Sequence, residues 1–290
     1  MSGKNNDRRS VYTFISSMLI FGTIGVLRRY IPLSSALLAF SRGVLGGIFL
    51  LVFSRLRKKE RDKLPPSVFV RLVITGAMIG INWILLFEAY NHTTVAVATL
   101  CYYMQPTIVV LLSPVIFKEK LTGKKALCAA LSIIGMVLVS GAVNSGAQGA
   151  DPKGVFLGLG AALFYASVVI MNKKIPGIDP YQRTTVLLLS AGMVMLPYLL
   201  LTEGFAAKEF SPAAVILLFV LGIVHTGIAY TMYFGSMDGM RMQTIAVLSY
   251  IDPVSALLFS ALLLKEPLSV LNIVGAVLII GSAMLSELDT

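Results

Sequence analysis

Two stretches of the chain, YMQPTIVVLLSPVIFKEKLT at residues 103–122 and YIDPVSALLFSALLLKEPLS at residues 250–269, follow one pattern. Each begins with Tyr-x-x-Pro, continues as an apolar run, and ends with Lys-Glu-x-Leu before a Thr or a Ser. The two stretches lie 147 residues apart, and a shift of 140 residues later aligns Gly135 with Gly275. Because chance similarity between apolar runs rarely preserves such ordered motifs, the pattern indicates an internal repeat.

The composition indicates that lipid is the solvent for most of the chain. The 290 residues are 57% hydrophobic and 13% charged, with a mean hydropathy of +0.84, whereas soluble domains carry roughly a quarter charged residues. Cys101 and Cys128 both lie inside apolar runs, so they indicate neither a disulfide framework nor a metal site. The net charge of +10 does not indicate nucleic-acid binding, because the basic residues lie in short loops between apolar runs.

The number of apolar runs predicts the topology, since a helix crosses the hydrocarbon core with about 20 apolar residues. We predict spans at residues 11–28, 33–54, 68–90, 94–117, 123–143, 154–172, 182–202, 212–236, 242–264 and 269–286. Each copy of the repeat has an odd number of spans, so the second copy must be inverted in the membrane. The predicted fold is therefore an all-α integral membrane protein, with ten transmembrane helices as two inverted five-helix repeats at residues 1–148 and 149–290. Inverted repeats are typical of transporters.

Lys and Arg are unevenly divided between the two sets of loops. If the N-terminus is cytoplasmic, the outer loops hold only Arg28, Arg29, Lys153, Lys208 and Lys265. The positive-inside rule then predicts that both termini are cytoplasmic, and we expect a multi-pass protein of the plasma (inner) membrane. We expect the first apolar run, which follows a basic N-terminus, to be a membrane anchor rather than a cleaved signal peptide.

These motifs resemble those of the drug/metabolite transporter superfamily, EamA type. The resemblance lies in residues 103–106, in the corner at residues 117–122 and in two later glycines, each with a twin in the second half. Arg42 matches a position where that family often has Arg, whereas Glu88 stands where the family usually has a small or apolar residue. The resemblance implies a ten-helix carrier. Many members export amino acids or other small metabolites, and some members import.

Asp252 is the first candidate for chemistry, because ionisable groups inside membrane spans are costly and are functional candidates by default. It lies near the middle of the ninth predicted span, directly before Pro253, which should free the carbonyl of Ser249 and kink the helix. An acid beside such a kink could bind a cation, bind substrate or exchange protons. It could equally be a structural carboxylate bonded to a neighbouring helix. Its repeat partner, Gln105, is neutral.

His225, Glu88 and Arg42 are further ionisable candidates inside predicted spans, and Arg71 lies near a span end. His225 could carry a proton in coupled transport, or it could simply be bonded to a backbone carbonyl. Glu88 could be an acid at an outer gate, or its side chain could reach the interface by snorkelling. Arg42 could contact a substrate anion, although a structural role as partner of a carbonyl or carboxylate is equally open. Whether His225 and Asp252 meet is left open by the sequence.

Aromatic and amide side chains near the middle of several spans form the rest of the predicted substrate site. Its candidates, besides Asp252, are Asn82, Trp83, Tyr102, Gln105 and Tyr230. Tyr102 and Gln105 share a helix face at a spacing of three residues, while Tyr103 should be rotated away. Such a lining suits a small amphipathic metabolite or an organic cation, the latter through cation–π contact. The alternative is that these aromatics are interfacial or serve in helix contacts.

The two Lys-Glu corners, at residues 118–119 and 265–266, are predicted to be structural. Thr122 and Ser269 should be the N-caps of the helices that follow them. One corner should face the cytoplasm and the other the outside.

The leading functional hypothesis is a secondary active transporter that moves a small metabolite, such as an amino acid or an amine, by alternating access. Export is expected, with possible proton coupling. The chain has no Walker A pattern and therefore no ATP motor of its own. A lipid or lipid-linked headgroup flippase of the same fold is the alternative, and a membrane-embedded enzyme is less favoured. We expect no cofactor and no metal, a small-molecule substrate and membrane lipids as partners, no nucleic acid, and a monomer or homodimer.

Overall fold

The computed structural model describes residues 2–28, 30–56, 63–93, 95–139, 151–202, 211–265 and 269–287. Within these ranges every regular element is helical. Several positions that the sequence singled out lie outside the described residues, namely Arg29, Gly141, Lys208, Glu266 and Leu268.

Fourteen α-helices are described in chain order. They are α1 (Ser2–Gly22), α2 (Ile24–Arg28), α3 (Ser35–Leu56), α4 (Pro66–His92), α5 (Val95–Tyr102), α6 (Gln105–Phe117), α7 (Gly123–Val139), α8 (Pro152–Lys173), α9 (Pro180–Thr202), α10 (Pro212–Val220), α11 (Ala229–Ser236), α12 (Met242–Leu248), α13 (Ile251–Leu264) and α14 (Val270–Glu287). A π-helical segment, Leu221–Ile228, joins α10 to α11, and a 3₁₀ turn, Met237–Gly239, follows α11.

Eight helical segments in the described part of the chain are long and apolar enough to cross a membrane. They are Arg8–Arg28, Ser35–Leu56, Pro66–His92, Val97–Phe117, Pro152–Lys173, Pro180–Thr202, Pro212–Gly239 and Met242–Leu264. Each coincides with one of the predicted spans. The other two predicted spans, at residues 123–143 and 269–286, coincide with the shorter helices α7 and α14.

Several contacts between a helix of the first half and a helix of the second are each matched by a contact between the two equivalent helices. Helix α1 corresponds to α8 in the other half, α4 to α11, and α6 to α13. α1 contacts α11 and α13, and α8 contacts the equivalent helices α4 and α6. α3 contacts the π-helical segment, just as α9 contacts α4. The contacts of α3 with α9 and of α7 with α14 each join a helix to its own counterpart. This is the pattern that a two-fold relation between the halves would produce.

The two Tyr-x-x-Pro motifs interrupt their spans in the same way. The helix is broken at residues 103–104, between α5 and α6, and at residues 249–250, between α12 and α13. Each following helix has its proline in the first turn, where the missing N–H removes no helical bond. The predicted kink at Pro253 is confirmed. The carbonyl of Ser249 is not left free, however, because it accepts a bond of 3.3 Å from the N–H of Asp252.

The two Lys-Glu corners also match in local geometry. Lys118 and Lys265 end α6 and α13 with left-handed φ angles of 56° and 55°. The predicted N-caps are confirmed: Thr122 Oγ1 accepts from the N–H of Lys125 at 3.3 Å, and Ser269 Oγ accepts from the N–H of Asn272 at 3.2 Å. In both halves, therefore, one helix ends at a left-handed Lys and the next begins at a Thr or Ser cap.

A belt of polar contacts marks the end of the bundle that holds the start of α1, which we call the amino-terminal end. Glu119 accepts from the backbone N–H groups of Met242 at 2.9 Å and Gln243 at 3.3 Å, and so caps α12. Arg183 is fully buried and forms an ion pair with Asp238 at 3.2 Å. A side chain added at Gly239 would touch Ser10, which places this belt beside α1. The sequence gave no sign that Arg183, at the start of the predicted span 182–202, would be buried.

Candidate functional site

A cavity of about 350 Å³ lies among helices of both halves. Its lining comprises Met18, Phe21, Ile24, Gly25, Arg42, Trp83, Leu86, Phe87, Tyr90, Tyr102, Tyr103, Gln105, Pro106, Tyr165, Tyr230, Tyr233, Ser249, Asp252 and Ala256. Both helix breaks contribute to it, so the interrupted spans place side chains in the cavity that a continuous helix would turn elsewhere. Cavities at discontinuous helices are where transporters of inverted-repeat architecture bind their substrates.

The cavity reaches toward one end of the bundle only. On its open side, Gly25 and Tyr90 lie close to the ends of α2 and α4. On the side of the amino-terminal end, the buried side chains of Phe14, Val110 and Leu248 lie between the cavity and the polar belt. These buried side chains separate the cavity from the amino-terminal end.

Two opposite charges line the cavity without pairing. Arg42 lies over the ring of Trp83 at 5.1 Å, and its Nε atom is buried with no partner in the described part of the chain. Asp252 is in electrostatic contact with Arg42, yet the described residues offer its carboxylate no hydrogen bond and no ion pair within 4 Å. Both side chains are half-buried and line the cavity, so both charged groups are available to a ligand.

Aromatic rings form one wall of the cavity. Tyr102 and Tyr165 stack with centroids 5.7 Å apart and an interplanar angle of 13°, and Tyr165 and Tyr233 stack at 6.5 Å and 18°. Tyr230 meets Tyr233 edge to face at 6.4 Å. A flat or cationic group could lie against this wall, since aromatic faces attract both rings and cations.

Most of the residues predicted for the substrate site line this one cavity. They are Trp83, Tyr102, Gln105, Tyr230 and Asp252, and Arg42, predicted as a gate or structural charge, lines it as well. Asn82 does not line it. Its Nδ2 donates to the carbonyl of Ala161 at 2.6 Å, so the side chain ties α4 to α8. The expectation that Tyr103 faces away is wrong, because the helix breaks at this residue and the helical spacing no longer applies.

His225 lies in the π-helical segment and not in the cavity lining. Its Nε2 lies 2.7 Å from Thr23 Oγ1, and its Nδ1 lies 3.3 Å from the carbonyl of Val220. Thr23 Oγ1 also donates to the carbonyl of Ile20 at 2.8 Å. A hydroxyl has one proton to donate, so these three bonds form together only when both ring nitrogens carry protons. The described contacts of His225 do not include Asp252.

Glu88 also lies outside the cavity lining. The hydroxyl of Tyr198 donates to its Oε1 at 2.5 Å, which joins α4 to α9. The side chain is half-buried.

The sequence search missed several lining residues, and the repeat would have led to one of them. Five pairs of lining residues are related by the 147-residue shift: Met18 with Tyr165, Trp83 with Tyr230, Leu86 with Tyr233, Tyr102 with Ser249, and Gln105 with Asp252. From the predicted Tyr102 the shift leads to Ser249, whereas Tyr165 and Tyr233 have counterparts that were not predicted either. Arg42 breaks this symmetry, since its counterpart is Leu189, which does not line the cavity.

Comparisons with known proteins agree with this geometry. The sequence profile of the EamA-like transporter family matches residues 8–141 and 152–288. A Bacillus subtilis protein described as an uncharacterized transporter, YxxF, is 28% identical over 86% of this chain and 79% of its own length. An Escherichia coli protein described as a probable amino-acid metabolite efflux pump is 29% identical over 81% of this chain and 82% of its own. A solved crystal structure shares the fold with a TM-score of 0.83 at 19% identity, over 96% of this chain and 97% of the other.

Proposed function

This chain belongs to the EamA-like transporter family of the drug/metabolite transporter superfamily, and on this premise we propose that it is a secondary active transporter of a small zwitterionic metabolite. The family and the relatives named as efflux pumps are transporters rather than enzymes. Together with the apolar helices, they make the chain a multi-pass membrane protein.

In this proposal ten spans form two inverted repeats, residues 1–148 and 149–290, with both termini in the cytoplasm. The exchange symmetry of the helix contacts supports the repeat, as do the matching helix breaks and the left-handed Lys118 and Lys265. The charge bias of the loops supports the orientation. With this orientation, the cavity would open to the outside and be closed toward the cytoplasm, which is one of the two states that alternating access requires.

The observation that carries the proposal is the unpaired Arg42 and Asp252 in one aromatic cavity. A substrate carboxylate would pair with Arg42 and a substrate ammonium with Asp252, while its side chain lies against the tyrosine wall. An amino acid or a close derivative has these groups, and the printed description of the Escherichia coli relative supports that class. A cavity of about 350 Å³ is of the size that small-ligand sites have.

Transport in the proposed direction, from cytoplasm to outside, would be driven by exchange for protons. Asp252 is the proposed coupling site because its carboxylate can bind a proton or pair with the substrate ammonium, but cannot do both at once. The three-bond arrangement around His225 makes it the second candidate, since gain or loss of its ring proton would alter the contact between Thr23 and the π-helical segment. Glu88 remains a proposed gate residue beside Tyr198.

A lipid flippase of the same fold is the weaker candidate. It would need a lateral opening rimmed by basic side chains, whereas Arg42 is the one basic residue among the described residues that line the cavity.

The substrate class can be tested by thermal-shift binding to the purified protein with three matched sets of ligands: amino acids, the amines that lack the carboxylate, and the acids that lack the ammonium. We expect the amino acids to bind best. Arg42→Gln should weaken amino-acid binding about tenfold or more, because a hydrogen bond to a charged group is worth about 1.5–3 kcal/mol, and should leave amine binding unchanged.

Arg71→Gln is the matched control, since Arg71 is exposed on α4 and does not line the cavity. Equal loss of amine and amino-acid binding in Arg42→Gln would mean that Arg42 does not contact a substrate carboxylate.

A further inference from the structure

A second cavity of about 350 Å³ lies at the amino-terminal end, apart from the aromatic cavity. It is lined by Glu119, Lys120, Thr122, Lys124, Lys125, Arg241 and Gln243. These residues come from the corner between α6 and α7 in the first half and from the start of α12 in the second half. A ligand held here would therefore touch both halves.

The charge of this cavity is positive. Four of its lining side chains are Lys or Arg, and Glu119 is the one carboxylate among them. Both oxygens of Glu119 already accept backbone N–H groups, from Met242 and Gln243. Helix α7 adds to the positive field, because it starts at Gly123 and the N-terminus of a helix carries unsatisfied N–H groups and a positive partial charge.

The buried side chain of Gln243 is an independent sign that this cavity can hold a ligand. Its side chain is 1% exposed, and its Nε2 donates to Ser113 Oγ at 3.0 Å. Its Oε1 is buried and has no hydrogen-bond partner in the described part of the chain. Buried polar atoms are nearly always paired, so a ligand with a hydrogen-bond donor would satisfy this oxygen.

We propose that this cavity binds a phosphate group that carries hydroxyl donors. The phosphate would lie among Lys124, Lys125 and Arg241 near the start of α7, and a hydroxyl would donate to Gln243 Oε1. Such chemistry is found in the headgroup of phosphatidylglycerol and in soluble glycerol phosphate.

The surroundings of the cavity favour the lipid as the source. Leu127 and Ile134 are exposed apolar side chains seven residues apart on α7, so they lie on one face that runs along the helix away from the cavity. Acyl chains could lie along this face while the headgroup occupies the cavity. Basic pockets at the cytoplasmic ends of membrane helices are known to bind anionic headgroups.

The bound phosphate would join α7 of the first half to Arg241 at the start of α12 in the second. Glu119 already caps α12 across the same boundary. The ligand would thus add a second link that holds the amino-terminal end closed.

Binding of a phosphate ligand can be measured by native mass spectrometry of the intact, detergent-purified protein. The probes are phosphatidylglycerol, phosphatidylcholine and glycerol 1-phosphate. We expect phosphatidylglycerol to bind in preference to phosphatidylcholine. The double variant Lys124→Gln/Lys125→Gln should weaken phosphatidylglycerol binding about tenfold or more. The double variant Lys124→Arg/Lys125→Arg should retain it, which separates loss of charge from loss of fold. Lys153→Gln, an exposed lysine away from this cavity, is the control and should change nothing.

Binding of phosphatidylglycerol alone would assign the site to lipid, and binding of glycerol phosphate alone would assign it to a soluble ester. Either result supports the phosphate site if the charge-removing variant loses it. Binding of neither probe, or equal binding by wild type and the charge-removing variant, would overturn the proposal. Phosphatidylmethanol, which lacks the headgroup hydroxyls, should bind more weakly than phosphatidylglycerol, and equal binding of the two would exclude the pairing with Gln243.

Discussion

Asp252 is the residue at which the two halves of the chain differ most sharply in the cavity. Its counterpart, Gln105, also lines the cavity but carries no charge. At this equivalent position the cavity is therefore charged on the side of the second half and neutral on the side of the first. An acid inside a membrane span is expected to have a function, and the absence of a partner among the described residues leaves it open to a proton or a cation.

We predict that Asp252→Asn uncouples transport from the proton gradient. In liposomes loaded with substrate, an imposed pH gradient should accelerate transport by the wild type and have no such effect on the variant, because the amide cannot exchange a proton. The measurement is substrate flux with and without the gradient.

Gln105→Asn is the matched control, since it changes the neutral residue at the equivalent position by one methylene and should preserve the response to the gradient. An equal response of wild type and Asp252→Asn would remove Asp252 as the coupling site.

Helix α12 shows how a short element can depend on a distant carboxylate. It has seven residues, and isolated helices of that length are not stable in water. Its first N–H groups are held by Glu119, which comes from the other half of the chain. The capping bonds therefore fix the start of a helix and, at the same time, join the two halves at the amino-terminal end.

We predict that Glu119→Gln destabilises this end. The amide offers one acceptor oxygen where the carboxylate offers two, and the loss of a helix cap costs about 1 kcal/mol. The melting temperature should fall, and a cysteine placed near α12 should become more accessible to a water-soluble thiol reagent, because the closed state loses one of its links.

Lys153→Gln, at an exposed position outside both cavities, should leave both the melting temperature and this accessibility unchanged. If Glu119→Gln behaves in the same way as this control, the cap does not stabilise the closed end.

At the scale of the whole molecule, α7 and α14 meet as counterparts. Gly135 lies against the backbone of Gly275, which is the residue that a shift of 140 aligns with it. Ser132 and Ser282 share a hydrogen bond of 2.7 Å across the same interface. Small residues let membrane helices approach closely, and the meeting of equivalent glycines is what a two-fold relation between the halves would produce.

We predict that replacing glycine by alanine has opposite effects on protein stability at one position in α7 and one position in α14. Gly135→Ala should destabilise the protein by about 1–3 kcal/mol, because the new methyl group would overlap the carbonyl of Gly275 and force the helices apart. Gly281→Ala should be neutral or stabilising by up to about 1 kcal/mol, since its methyl group would meet no atom within 4 Å and alanine favours helix.

The measurement is the midpoint of thermal or denaturant unfolding of the two variants in the same detergent. A loss of stability at Gly281 equal to that at Gly135 would show that the close contact is not the cause.

The sequence by itself determined which segments are helical and apolar, that one of them is kinked before Pro253, and that its motifs recur 147 residues apart. These properties are local, because apolar length, proline and capping residues act within one or two turns. The sequence also identified Arg42, Trp83, Tyr102, Gln105, Tyr230 and Asp252 as candidates, since polar and aromatic residues are conspicuous inside apolar runs.

Only the tertiary structure decided which of these side chains share a cavity. Asn82 follows the same pattern as Trp83 but donates to Ala161 on α8, and His225 contacts Thr23 instead of Asp252. The direction of a side chain depends on where its helix breaks and on which neighbour lies opposite, and both follow from contacts between residues far apart in the chain. For the same reason, no local sequence pattern predicted that Glu119 would cap the helix that begins at Met242.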